Sequence, residues 1–267
     1  SLPDVEGEPK PEKMPQIVII VDELAPAALN NVSDMYSTAF VNTDADLDAI
    51  AEGLKRTRSG RLCLYGAPGT GKSEYVRWLA ARLDMPLVIK RASDLLSPYV
   101  GMTEKLIAAA FHSARQQGAV LLIDEADSFL QDRANARASW EVSQVNELLT
   151  QMESFPGIFC ATTNLFKEID RASLRRFDLK AEFRPMTTKQ TVEFAKCCAG
   201  KLALGEISAA DLARLERLDG LTPGDFAAVR RGGRFNPLKN TADFVTRLEG
   251  EVEMKEEGRK KPQIGFY

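Results

Sequence analysis

Between positions 66 and 73 the chain reads Gly66-Ala67-Pro68-Gly69-Thr70-Gly71-Lys72-Ser73. Glycines at this spacing let a backbone fold tightly around an anion and turn its N–H groups inward. A lysine and a hydroxyl follow at once, which completes the G-x-x-x-x-G-K-[ST] pattern of a phosphate cradle. An apolar run precedes the loop. A helical stretch opens near Lys72, and its positive dipole end adds to the attraction for phosphate. Lys72 is expected to reach the β- and γ-phosphates of a nucleotide. The Ser73 hydroxyl is expected to hold Mg²⁺, and Glu74 joins the nucleotide-binding set.

A second group stands at Val120-Leu121-Leu122-Ile123-Asp124-Glu125-Ala126-Asp127. Here an apolar strand runs into acids, so the carboxylates emerge at the strand's carboxyl end, where α/β sheets bind ligands. Asp124 would hold Mg²⁺ through its water shell. Glu125 would orient and deprotonate an attacking water, an effect worth about 10²–10⁴-fold in rate. A further run ends Ala161-Thr162-Thr163-Asn164, and the Asn164 amide can bridge the γ-phosphate and that water.

These groups need a scaffold that brings several strand ends together. Four short runs are apolar at every position: Leu62-Cys63-Leu64-Tyr65, Leu87-Val88-Ile89, Val120 to Ile123 and Ile158-Phe159-Cys160-Ala161. A weaker fifth, Ala181-Glu182-Phe183, follows. Such runs suggest strands buried on both faces, as in a parallel sheet covered by helices. Alternation with helical stretches points to a three-layer α/β domain. Asp44 can cap a first helix carrying Leu47, Ile50 and Leu54. After Pro185 the strand signals stop, and residues 187–204, 208–219, 223–231 and 241–255 read as helices. Thr222-Pro223 looks like a cap followed by proline at the first helical position. The expected organisation is an N-terminal tail and linker over 1–36, a large α/β domain over 37–186, a helical domain over 187–257 and a tail over 258–267. Residues 1–16 are rich in Pro, Glu and Lys, and residues 17–42 read as a segment packing on the main domain.

Bulk properties narrow the function classes. The formal charge is −3, from 35 basic and 38 acidic residues, which argues against a nucleic-acid binder. Cys63, Cys160, Cys197 and Cys198 form no CxxC pair, and His112 is the single histidine. Reduced thiols rather than a zinc site follow. No HExxH protease motif is present. No run is long enough for a membrane span, so a cytoplasmic location is expected. A first residue of Ser rather than Met suggests processing or a cut from something longer.

Taken in order, Gly66–Ser73, Leu122 to Asp127, Ala161 to Asn164 and Asp170 to Asp178 make the chain resemble an AAA ATPase of the AAA+ superfamily, over residues 37 to 255. It is most similar to bacterial AAA ATPases of the sporulation-protein type and to the second module of a tandem pair. The resemblance implies a P-loop NTPase domain with a five-stranded parallel sheet, a helical lid, and usually a homo-oligomeric ring of six subunits with ATP between neighbours. It implies arginines that reach across to the next subunit's γ-phosphate. The family pattern Arg-Pro-Gly-Arg-Phe-Asp is here Arg175-Arg176-Phe177-Asp178, without Pro-Gly. Arg175 is the expected main finger in trans, with Arg176 either beside it or in a local ion pair. Such a finger is worth about 10³–10⁵ in rate.

By the same resemblance, Ser97-Pro98-Tyr99-Val100-Gly101 matches a pore loop, in which Tyr99 and Val100 grip an extended polypeptide and Gly101 lets the loop bend. A hydrophobic turn is the plainer alternative. Gln151 to Phe155 stands where the family has an inter-subunit signalling segment, with a core phenylalanine as the other reading of Phe155. Arg133, Arg137 and Trp140 fall near a second pore loop and read better as a solvated loop. Gly224 and Asp225 match the lid segment that contacts adenine and ribose, although cap chemistry alone also explains them. The function expected is Mg-dependent ATP hydrolysis by a ring that remodels or threads protein substrates. The alternative is a nucleotide-dependent scaffold or switch with slow hydrolysis. Nucleic-acid loading is disfavoured by the charge and by the lack of a basic helix-turn-helix signal.

Overall fold

The computed structural model describes residues 35–130, 139–165 and 169–260. Arg133, Arg137 and most of the expected N-terminal and C-terminal tails lie outside them. Five parallel strands form the expected sheet: β2 (Gly60–Gly66), β3 (Leu87–Arg91), β4 (Val120–Asp124), β5 (Ile158–Thr163) and β6 (Leu179–Arg184). A short sixth strand, β1 (Asn42–Thr43), adds to β6 in antiparallel sense, giving the order β1-β6-β2-β5-β4-β3. Two residues carry too little periodicity to be read as a strand from sequence.

Period-two alternation explains the unbroken apolar runs. Leu121, Ile123, Phe159 and Ala161 face one layer, formed largely by α4 (Met102–Gln117) and α6 (Ser139–Ser154). Val120, Leu122, Ile158 and Cys160 face the other, formed by α1 (Leu47–Thr57) and α2 (Lys72–Arg82). Strand β3 departs from the expectation of two buried faces: it is an edge strand, and its residues are only partly buried. The first helix is capped by Asp46, not Asp44. Asp46 accepts from the Ala49 N–H at 2.9 Å. Asp44 instead takes the backbone N–H of Glu182 at 2.8 Å, beside the β1–β6 pair.

The shorter helices α3 (Ala92–Leu95), α5 (Asp127–Leu130) and α7 (Arg171–Leu174) bridge strand ends. Beyond β6 come α8 (Thr188–Lys201), α9 (Ala209–Leu215), α10 (Pro223–Gly232) and α11 (Thr241–Lys260). They surround a third apolar core in which Phe194, Phe226 and Phe244 meet edge to face. Cys63, Cys160 and Cys198 are buried free thiols, and burial pushes the Cys63 thiol up to about 12. Among the described residues no helix is long and apolar enough to cross a membrane.

Phe159 is fully buried and packs its ring against Phe111 and Phe177. Its replacement by Ala is expected to cost about 3–5 kcal/mol in urea unfolding. Val100→Ala, at a residue 93% exposed, should stay within about 0.5 kcal/mol of the parent. Equal losses in both would contradict this packing.

Candidate active site

The parallel sheet places the carboxyl ends of β2, β4 and β5 side by side, and the chemistry gathers there. β2 ends at Gly66, whose φ of 132° lies in the region that favours glycine. A side chain there would start 1.9 Å from the Phe183 carbonyl oxygen. The loop then turns through Gly69 and Gly71, also at positive φ, into α2. Thr70 is buried, and its hydroxyl donates to the Ala67 carbonyl at 2.8 Å.

Lys72 is 7% exposed. Its ammonium donates to the carbonyls of Gly66 and Ala67, both at 2.8 Å, and to Asn164 Oδ1 at 2.9 Å. Burial lowers its pKa to about 8, against the opposing pull of Asp124 and Asp127. Asn164 is therefore brought to the loop, as its position after β5 predicts. Ser73 Oγ donates to Asp124 Oδ1 at 2.7 Å, so the two expected metal residues stand in contact.

Glu125 is exposed at φ 56°, a left-handed conformation that few residues outside glycine adopt. Its N–H donates to Thr162 Oγ1 at 3.0 Å, and that hydroxyl in turn donates to Asp124. Asp127 receives the Thr163 hydroxyl and the N–H groups of Asn164 and Leu165. Thr162 and Asp127 are positioning groups without an assigned role in the motifs. Their signal lies in the strand register: Ile123 pairs with Ala161, so Thr162 stands beside Asp124.

A cavity of about 460 Å³ unites these groups. Pro68 to Glu74, Asp124, Glu125, Asn164 and Gly224 line it, together with Met35, Tyr36, Arg230 and Arg231. Gly66 and Ala67 act from behind, through the carbonyls that hold Lys72. Asp225 does not line the cavity. It is 6% exposed, and its carboxylate accepts the Thr222 N–H and hydroxyl and the Lys255 ammonium. The cap therefore occupies the group that the lid resemblance assigns to nucleotide. Gly224 touches the loop directly, its N–H donating to the Gly69 carbonyl at 2.8 Å.

Arg175 and Arg176 also lie away from this cavity. Arg176 pairs with Glu153 at 2.6 Å, which is the local ion pair of the two readings. Arg175 is exposed, with no ion pair among the described residues. Phe155 is buried edge-on against Phe111 and belongs to the core. Tyr99 and Val100 are 73% and 93% exposed in the turn before α4, with Gly101 at φ 76°. Asp178 holds the start of β2, taking the Arg61 guanidinium through both oxygens at 2.9 and 3.0 Å.

A tight glycine loop leading into α2, a buried ammonium and an adjacent hydroxyl–carboxylate pair suit a nucleoside polyphosphate with a divalent cation. Residues 62–185 match the model of the ATPase family associated with various cellular activities (AAA). Over these residues the chain is similar to an AAA ATPase domain. Spastin of Drosophila melanogaster is 31% identical over 199 residues, covering 70% of this chain and 26% of the fly protein. Spastin of Anopheles gambiae is 32% identical over 193 residues, covering 69% and 23%. The chain thus spans about a quarter of the length of the curated relatives it matches. An AAA ATPase domain binds nucleotide, and hard oxygen donors such as Ser73 and Asp124 suit Mg²⁺. That ion keeps several waters and needs few protein ligands. Among the described residues no cluster of three His, Cys, Asp or Glu competes as a metal site.

A side chain at Gly224 would start 2.7 Å from the Gly69 Cα. Gly224→Ala should force α10 off the loop and weaken ATP binding by about tenfold or more, read by calorimetry on a chain whose helix content is unchanged. Gly53→Ala, in open space within α1, should instead stabilise by about 0.5–1 kcal/mol and leave binding alone. Unchanged affinity in Gly224→Ala would refute the contact.

Proposed function

We propose that this chain hydrolyses ATP to ADP and phosphate within a ring of its own copies, and that the ring does mechanical work on a polypeptide. The observation that carries the reading is a division of parts. Lys72, Ser73, Asp124, Glu125 and Asn164 converge on one cavity, while Arg175 stands exposed outside it. In this reading residues 37–186 are the ATP-binding domain and residues 187–257 its lid. Kinship with bacterial sporulation-protein-type ATPases, a second place in a tandem pair and a cytoplasmic location belong to the same proposal.

The loop from Gly66 to Ser73 holds the phosphate chain through its N–H groups, and Lys72 exchanges its carbonyl acceptors for phosphate oxygens. Ser73 and Asp124 hold Mg²⁺, which when bound withdraws charge from the phosphates. Asn164 orients a water against the terminal phosphorus. Glu125 accepts that water's proton as the new P–O bond forms and the bond to the bridging oxygen breaks, leaving ADP and phosphate. The left-handed backbone at Glu125 supports this assignment, since strain at a strand end is a recurring mark of working residues. Arg175 of one copy completes the site of the next by stabilising charge on the transferring group. Tyr99 and Val100 supply apolar grip on an extended chain.

Glu125→Gln should bind ATP normally and cut turnover by about 10²-fold or more, with assembly measured by sizing in ATP. Parent-like turnover would remove Glu125 from its role. Arg175→Ala should lose at least about 10³-fold in turnover, and mixing it with Glu125→Gln should restore some activity, since each copy supplies what its neighbour lacks. Tyr99→Ala should keep ATP turnover and lose polypeptide processing. Full processing by that variant would favour a nucleotide-dependent scaffold instead.

A further inference from the structure

Arg175 stands in a turn whose next three residues are each held in place. Arg175 itself is exposed, with no ion pair among the described residues. Arg176 is held by Glu153, from the end of α6, at 2.6 Å. Phe177 is buried and stacks on Phe159, and its carbonyl accepts the Lys180 ammonium at 2.6 Å. Asp178 closes the turn on Arg61. The Arg61 guanidinium donates through Nε to Asp178 Oδ2 at 3.0 Å and through Nη2 to Oδ1 at 2.9 Å. The main chains add two more bonds. The Arg61 N–H donates to Asp178 Oδ2, and the Asp178 N–H donates to the Arg61 carbonyl, each at 2.9 Å. The hydrogen bond to Asp178 raises the Arg61 pKa and the charge of Glu153 adds to the rise, so the two ion pairs act as one cluster.

This clasp does little for stability. The Arg61 and Asp178 side chains are 31% and 52% exposed, and ion pairs at such a surface add little to folding. What a fork of two parallel bonds supplies is direction. Here it fixes the backbone that carries Arg175. A side chain offered to a neighbouring molecule depends on that, because a misplacement of about 1 Å can cost about 10²-fold in rate. Arg61 also lies near the start of β2, which ends at Gly66. The same strand therefore joins the turn to the phosphate loop of its own copy.

We infer that Arg61, by clasping Asp178, is a positioning residue that aims Arg175 at the nucleotide site of the next copy. The inference rests on the trans role given to Arg175 above and adds the residue that orients it. The competing account is local: Arg61 steadies β2 and so serves the phosphate loop of its own copy.

The test is steady-state ATP turnover by the full chain as parent, Arg61→Ala, Arg61→Lys and Arg175→Ala, with thermal midpoints alongside. Arg61→Ala is then mixed with Glu125→Gln. For Arg61→Ala, kcat should fall by about 10- to 10²-fold, with KM and thermal midpoint unchanged. Arg61→Lys, which keeps the charge without the fork, should recover part of kcat. Mixing should restore turnover, because the Glu125→Gln copy lends a well-aimed Arg175 to a site that still has Glu125. Parent-like kcat in Arg61→Ala, or a raised KM with no recovery on mixing, would overturn the inference and leave the trans role of Arg175 standing. Parent-like turnover in Arg175→Ala would overturn that role and the inference with it.

Discussion

The site turns on the buried ammonium of Lys72. A cation so enclosed needs several oxygen acceptors, because an unpaired buried charge is strongly unfavourable. Here it has three, from the end of β2, the following loop and the end of β5. One side chain thereby ties the phosphate loop to Asn164 across the sheet. Burial nonetheless lowers its pKa, against the opposing pull of Asp124 and Asp127. The three acceptors are neutral and weak, so an anionic phosphate chain offers Lys72 a better environment than the free protein does.

Around that point the parallel register does the assembling. Because β4 lies beside β5, residues at equal depth become neighbours: Asp124 with Thr162, and Asp127 with Thr163 and Asn164. The threonine hydroxyls set the acids' orientation, and Asp127 fixes the turn that aims Asn164. Glu125 projects from between these anchored neighbours on a left-handed backbone. The acids thus differ by environment: Asp124 is engaged by two hydroxyls, and Glu125 is exposed.

Much of this was legible in the sequence, for a physical reason. Central strands buried on both faces leave unbroken apolar runs, and the groups at their carboxyl ends follow directly in the chain. That covers the loop, Asp124, Glu125 and Asn164. Relations across the sheet leave no such trace, so Thr162 and Asp127 come only from the register. The edge strands β1 and β3 have weaker or shorter patterns. Asp44 and Asp46 are equally good caps by type, and the sheet edge decides between them. Asp225 misleads in the same way, because a carboxylate that suits a ribose also suits a cap and a lysine. The arginine pair cannot be separated by composition, but Glu153 lies within reach of Arg176. The wall formed by α10 depends on how two separate cores dock, which local patterning does not encode.

The bond from Gly224 to Gly69 joins the helical part to the loop through main-chain atoms alone. A joint made of side chains can be strengthened or relaxed by gradual substitution. This one has no side chain to exchange, and adding one at Gly224 collides with the opposing backbone. Sequence drift can break the joint but cannot tune it. Adjustment of how the two parts move together must therefore come from the residues around it.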